Sequence, residues 1–494
     1  MASSITTAAG DSLDNTNNGT ETHETMQNGL APLLGTDSEE IQLDDVLAQL
    51  KVGLFQWKML LLAGGGYLAV CSEIMVFVFL SEPVTKEWNL MHMTFAMLPF
   101  VSGITGIIGS FTFGIISDRF GRQKPFIIAV AIVAVFGLIS AFSPTFWSLV
   151  LIRSLVSLGN GGLEAVDFVL LLGSYPECLP RRNRGTFMVV ITFCGALGAV
   201  LAGGLAWWLL PTYGWRTFVG ACSIPSFLVF ICRFFISYES PRYLFVSGKK
   251  KEALHLLSII AQQNKTSMPT GEIICPSSQE RGKLQELFKA PVLKRTIFSS
   301  LVWFFQSAGF WGVTIYLPEY MGSLGINPYF NMFTVFIGEL PGLFLAMILI
   351  EPHMLGRIKC LRFFSMGTII TLVLFAFINL DFLKAVCVIV VYFFMVPIYS
   401  ILNTYTSEVY PTDIRSIAMA WVKSVISVPG LITPFVGASI LSSNISWLYP
   451  IVWACCFVLQ FLCTFGFSTE TAGKDLRDSR NSAQNPSRLP TTRF

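Results

Sequence analysis

The sequence is poor in charge. Of 494 residues only 13% are Asp, Glu, Lys or Arg, against 53% hydrophobic, and mean hydropathy is +0.63. A soluble domain carries roughly 25% charged residues. The deficit excludes an ordinary soluble chain and fits an all-α membrane protein with many crossings. Neither sign of charge is in excess, since 33 Lys and Arg oppose 30 Asp and Glu. That removes the case for nucleic-acid binding. The 11 cysteines show no zinc spacing and no disulfide framework, and read as small buried hydrophobes. No metal or cofactor is implied. A Gly-x-x-x-x-Gly-Lys-Ser/Thr loop is missing, so an ATP-driven pump has no support. The N-terminus has no apolar core able to act as a cleavable signal. Residues 1–45 and 475–494 are polar and read as disordered cytosolic tails.

Long apolar runs fill the rest. A helix needs about 20 apolar residues to cross a bilayer. Twelve candidates qualify, at about 58–80, 94–116, 125–143, 146–172, 187–209, 217–236, 296–318, 330–350, 361–379, 382–406, 417–441 and 447–468. They form two bundles of six, 46–236 and 296–474, around one polar linker, 237–295, expected to carry amphipathic helices. Lys and Arg crowd one set of loops: Arg119, Arg122 and Lys124; Arg181, Arg182 and Arg184; ten in the linker; Arg357, Lys359 and Arg362; and Arg415. The opposite loops hold Lys86, Arg216 and Lys384. Basic loops stay cytoplasmic, which places both termini and the linker inside. The sequons at Asn18 and Asn264 then fall inside and are unused; that at Asn444 is outside, on a loop too short to lift it clear of the membrane.

The two bundles repeat each other. Glu177-x-x-Pro180-x-x-x-Arg184 returns as Glu408-x-x-Pro411-x-x-x-Arg415, an offset of 231. "ESPRYL" at Glu239 and "ETAGKDL" at Glu470 share that offset. Gly121-Arg122 returns as Gly356-Arg357, 235 residues on. Parallel halves related by an axis along the membrane normal place a substrate site near the midplane between them.

The stretch "SDRFGRQKP" packs Asp118, Arg119, Arg122 and Lys124 around Gly121. Gly121 permits a tight turn. Asp118 closes its helix where the dipole disfavours carboxylates, so it needs a partner. A cytosolic latch between the halves meets that need; a plain positive-inside turn is the other reading. The second copy is degenerate. His353 stands in the place of Asp118 and Met354 in that of Arg119, which predicts a weaker or pH-sensitive corner, with Glu351 as a substitute acid.

Gly-x-x-x-Asp-Arg-x-Gly-Arg (Gly114, Asp118, Arg119, Gly121, Arg122) resembles the signature of the major facilitator superfamily. "ESPRYL" and "SEVYPTDIRS" look like its sugar-porter and organic-ion branches. "VGLFQWKMLLLAG", "QERGKLQELF", "GELPG" and "LITPFVG" resemble the synaptic vesicle two-related group, which stands near the organic cation transporters. The resemblance covers about residues 43–476. It implies a twelve-helix fold and carriage of small organic solutes.

Ionisable residues inside a membrane are costly, so each is a functional candidate. Glu73 and Arg153 both sit about 7 residues, hence about 11 Å, below the outer surface. We expect them to pair. Sugar porters use a similar pair to couple transport to protons, and here Glu73 is the group that would exchange a proton or a cationic substrate; a static ion pair is the alternative. Glu164 and Asp167 share a helix face near the inner end, placed for cation attraction or as partners of Arg122 or Arg184. Lys423 either takes over an arginine that relatives carry one turn later or reaches to the cytosol. Glu339, in "GELPG", is its partner or a substrate carboxylate. Gln306, Trp303, Trp311 and Tyr316, with Tyr392, Tyr399, Asn403 and Tyr405, offer hydrogen bonds and ring faces for a flat or cationic ligand.

The sequence thus describes a monomeric multi-pass transporter, not an enzyme. It carries a small organic solute, charged or aromatic, by alternating access, with proton coupling in one version of the reading. Plasma membrane and vesicle membrane both fit. A second class of function also fits: a vesicle-membrane binding or trafficking protein that keeps the fold and moves nothing, with Leu33-Leu34 as a weak sorting signal. The retained buried charges favour transport.

Overall fold

The computed structural model describes residues 40–50, 53–121, 123–178, 184–235, 238–239, 241–268, 271–274, 284–290, 292–351, 353–410, 414–443, 447–467 and 470–471. At 165–178, 184–188 and 415–416, and at single positions including Asp118, it describes the backbone only. Twelve helices carry the fold: α1 (Leu54–Glu87), α2 (Met97–Phe120), α3 (Gln123–Ser140), α4 (Phe146–Cys178), α5 (Arg184–Cys222), α6 (Ile224–Phe235), α7 (Leu293–Ile315), α8 (Pro328–Leu349), α9 (Gly356–Phe377), α10 (Asp381–Val409), α11 (Arg415–Ser442) and α12 (Leu448–Cys463). α5 kinks at Gly214, φ +78°, just after Pro211, so its last eight residues open the sixth crossing that α6 completes. The turn expected between 209 and 217 is this single glycine.

Among the described residues ten stretches are long and apolar enough to cross a membrane, and one of them, Val189–Phe235, spans both crossings of the α5–α6 pair. α7 is not among the ten. Its Ser299, Gln306, Ser307 and Thr314 lower its hydropathy, and all four are buried inside the protein rather than offered to lipid. A helix that faces partners on most sides needs less apolar surface than one facing acyl chains.

The repeat is visible in packing. α2 lies against α4 and, in the second half, α8 against α10. A Cβ added at Gly109 would strike the carbonyl of Leu158; one added at the equivalent Gly342 would strike that of Phe393. Small residues let such backbones touch, which in lipid is a main source of helix association. The halves meet along α5 with α8 and α2 with α11.

Residues 40–50, of which 40–45 fall in the expected tail, are structured. Glu40–Gln42 pairs in parallel with Glu272–Ile274 of the linker, and Leu43–Gln49 is helical. Leu43, Val46 and Leu50 pack on Leu256, Leu257 and Ile260 of the amphipathic linker helix Lys250–Gln263. Asn264 fastens this module to α1. Its amide donates to the Leu50 carbonyl (3.1 Å) and Gln56 Oε1 (2.8 Å), and its Oδ1 accepts from the Phe55 N–H (3.2 Å). With these bonds in place the side chain leaves no room for a glycan. Asn18 and Asn444 lie outside the described residues.

Candidate functional site

Glu73 and Arg153 are paired. Arg153 Nη1 lies 2.6 Å from Glu73 Oε2, and Nη2 donates to the Glu73 carbonyl at 2.7 Å. Both side chains are 0% exposed. The Phe77 ring covers the guanidinium at 5.0 Å, while Gly137 of α3 and Ser223 at the start of α6 close the far side. Glu73 Oε1 and Arg153 Nε have no hydrogen-bond partner among the described residues. An ion pair this dry is stabilising only when its remaining polar atoms are also satisfied.

A cavity of about 290 Å³ lies between the halves. The first half lines it with Tyr67 and Cys71 of α1, Asn160 and Glu164 of α4, and small residues of α2; the second with Trp303, Gln306, Phe310 and Trp311 of α7, Phe336 and Glu339 of α8, and Tyr392 and Tyr399 of α10. Several of these are already held. Trp303 Nε1 donates to Thr406 (2.9 Å), Tyr392 OH to Thr314 (2.9 Å), and Gln306 Nε2 to the Met395 carbonyl (3.4 Å). Others are unsatisfied: Gln306 Oε1 and Asn160 Oδ1 are buried without partners among the described residues. Glu339 is 4% exposed, lines the cavity, and has no hydrogen bond or ion pair among the described residues.

Six of the residues expected to meet the solute do not line this cavity. Glu73 and Arg153 point away from it, because their positions on α1 and α4 face α3 and α6. Asn403 is buried on α10 away from the space, at 2% exposure. Lys423 stops short of it, donating to Tyr399 OH at 2.9 Å with its ammonium 5.4 Å from that ring. Lys423 does not reach to the cytosol, and it donates to Tyr399, not to Glu339. Tyr316 caps α7 outside the cavity, and Tyr405 stacks on Phe467. Trp303, Gln306, Trp311, Glu339, Tyr392 and Tyr399 line the cavity. Tyr67, Cys71 and Asn160 were missed, being single polar residues in apolar helices with no pattern to mark them.

The inner corners show what the repeat does. Gly121 and Gly356 both adopt positive φ, +90° and +74°, a conformation only glycine takes without strain. The turn brings up a carboxylate from beyond the sixth or twelfth crossing. Glu239 accepts from the Gln123 N–H (3.1 Å), and Glu470 from the N–H groups of Arg357 and Ile358 (both 3.0 Å). Each acid thus satisfies orphan donors at a helix N-terminus. In the second half Arg357 is 2% exposed and clasps Glu408 through Nε (3.1 Å) and Nη2 (3.0 Å). His353, which stands in the place of Asp118, is exposed and takes no part in that forked pair. Arg119 is exposed. Arg122 and the side chains of Asp118, Glu177, Arg184, Arg415 and Asp167 lie outside the description. Glu470→Ala is expected to cost about 1–2 kcal/mol, read as a lower unfolding midpoint of the purified protein. Glu470→Gln, which keeps one acceptor, should lose less.

At the opposite end the halves are joined. Phe100 packs edge-on to Phe435, Trp207 stacks on Phe333, and Phe79 meets Phe336. Ser81 of α1 donates to Glu319, which follows α7 (2.9 Å). Two of the three basic residues on this side are neutralised: Lys86 by Glu82 (2.6 Å) and Arg216 by Glu87 (2.7 Å).

Two helix bundles around a shared chamber, with repeated charged corners, define a membrane transporter of the major facilitator type. The family described as "Sugar (and other) transporter" matches residues 65–481, and the chain belongs to it. Among its relatives, "Organic cation/carnitine transporter 7" of Arabidopsis thaliana is 28% identical over 90% of this chain and 97% of its own. "Synaptic vesicle 2-related protein" of Xenopus laevis is also 28% identical, over 89% of this chain and 83% of its own. The proton:xylose symporter XylE shares the fold, with a TM-score of 0.67 at 20% identity, covering 85% of this chain and 97% of its own.

Proposed function

We propose that the protein carries a small organic solute bearing a positive charge and a flat or apolar body, by alternating access of the chamber between its two halves. One observation carries the reading: the cavity is walled by aromatic rings and holds an unpartnered, buried carboxylate, Glu339. Rings and a carboxylate are the partners a cation finds when it leaves water. The name of the Arabidopsis relative points the same way. The basic loops put the termini and linker in the cytosol and the joined end outside or in a vesicle lumen.

Glu73 is the proton-exchanging group of this cycle. It lies one helix face away from the chamber, so a change in α1 driven by the solute reaches it without contact. The test is reconstitution into liposomes with labelled organic cations, nicotinate and nucleotides, with and without a pH gradient. Saturable uptake of a cation supports the reading. Uptake confined to anions overturns the substrate class, and none for any solute favours the binding or trafficking role.

A further inference from the structure

Among the described residues the outer seam combines aromatic rings with a polar cluster. There Glu319, on the short helix Leu317–Ser323, faces two groups of the other half. Ser81 Oγ donates to its Oε2 at 2.9 Å, and Nδ1 of His92, from the turn before α2, lies 3.1 Å from its Oε1. The His92 contact is an ion-pair approach rather than an aligned hydrogen bond. Glu319 is 18% exposed at its side chain, His92 39%. A carboxylate and an imidazole pressed together in a half-dry seam hold one proton better than either does in water.

We propose that Glu319, Ser81 and His92 form a latch that takes up one proton, shared between Glu319 Oε1 and His92 Nδ1, as the outer ends of the halves close. The latch rests on the alternating-access reading above. Its consequence is directional: acid on the outer side keeps the transporter closed to that side, and alkali releases it.

The surroundings support that sign. Burial pushes the Glu319 carboxyl above the usual carboxylate range, with His92 and Ser81 drawing it back. A group whose proton is held more tightly in the closed form stabilises that form as pH falls below its closed-state value, and loses the effect as pH rises through it. Glu82, Lys86 and Tyr316 also face the site. Glu82 is tied to Lys86 and reached by the Tyr329 hydroxyl at 3.4 Å. Burial pushes the Tyr320 phenol up to about 12 and that of Tyr316 further.

The test uses the full chain in lipid nanodiscs, with spin labels on non-canonical residues at the exposed outer positions Tyr213 and Ser323. Pulsed electron resonance measures their separation between about pH 7.5 and pH 5. In the parent the ratio of short to long distances should rise as pH falls, by up to tenfold per pH unit for one linked proton. Glu319→Gln mimics the protonated acid and should give the short distance at every pH. His92→Gln, at a half-exposed site where folding is not at risk, should reduce the response to threefold or less overall. The latch is overturned if the parent opens in acid, if its distances ignore pH, or if both variants keep the parent's response. Solute uptake by the same protein reconstituted into liposomes separates the two readings. Uptake with pH-blind distances sinks the latch alone; no uptake and one fixed distance under all conditions sinks alternating access itself.

Discussion

Glu73→Gln is expected to abolish uptake driven by a pH gradient while leaving solute exchange partly intact. A glutamine cannot release a proton, yet it fills the same volume between α1, α3, α4 and α6. The substitution also leaves Arg153, 0% exposed, with half of its pairing gone. Breaking a buried pair from one side costs about 3–5 kcal/mol, so the single variant should also unfold at lower temperature. Arg153→Met should be worse for stability, because it leaves the carboxylate with neither charge nor bond to offset its burial. The double variant Glu73→Gln/Arg153→Met carries no buried charge and should recover most of the stability, since contacting residues are strongly non-additive. That recovery separates the two roles. If the pair is only a brace, the double variant regains gradient-driven uptake with its stability; if Glu73 moves the proton, stability returns and coupling does not. Uptake in liposomes and the unfolding midpoint, measured on the same four proteins, decide it.

Much of this was legible in the residues because membranes make few exceptions. A charge such as Arg153 in an apolar run must find a partner, and at equal depth only Glu73 was available. The 231-residue repeat gave the two halves, and Glu239 and Glu470 belonged to it before any role for them was apparent. Their task, capping α3 and α9, depends on where the chain returns after six crossings, which no local pattern records. The chamber was harder to read. Helical periodicity shows which face of a helix is polar, but α1 and α4 are buried over most of their membrane spans. Which polar residue faces solute and which faces a neighbouring helix is then settled by the rotation of each helix, and a turn of about 100° per residue moves Glu73 out of the chamber while Cys71 stays in. The latch was invisible for another reason. Ser81, His92 and Glu319 lie up to 238 residues apart in loops and helix ends, where spacing carries no meaning until the halves meet.

Glu339→Gln should lower uptake of a cationic probe by about 10- to 100-fold, the range expected when a charge-assisted contact of about 1.5–3 kcal/mol is lost. The same change should leave the fold as stable as before or more so. Glu339 is 4% exposed and bonded to nothing among the described residues, so its ionised form is held at a desolvation cost that glutamine does not incur. Opposite signs for activity and stability mark a group kept for its ligand rather than for the structure, and they distinguish Glu339 from Glu73, where both should fall together. Phe336 and Tyr392, whose rings meet at 6.0 Å and 72° beside it, would keep the neutral side chain packed, so a fall in uptake is not a sign of collapse. A neutral probe of the same shape should be transported equally by parent and variant. If the cation were carried as well by the glutamine form, the positive charge assigned to the solute would be wrong, and the rings of the chamber would have to be read as a site for a neutral or anionic aromatic instead.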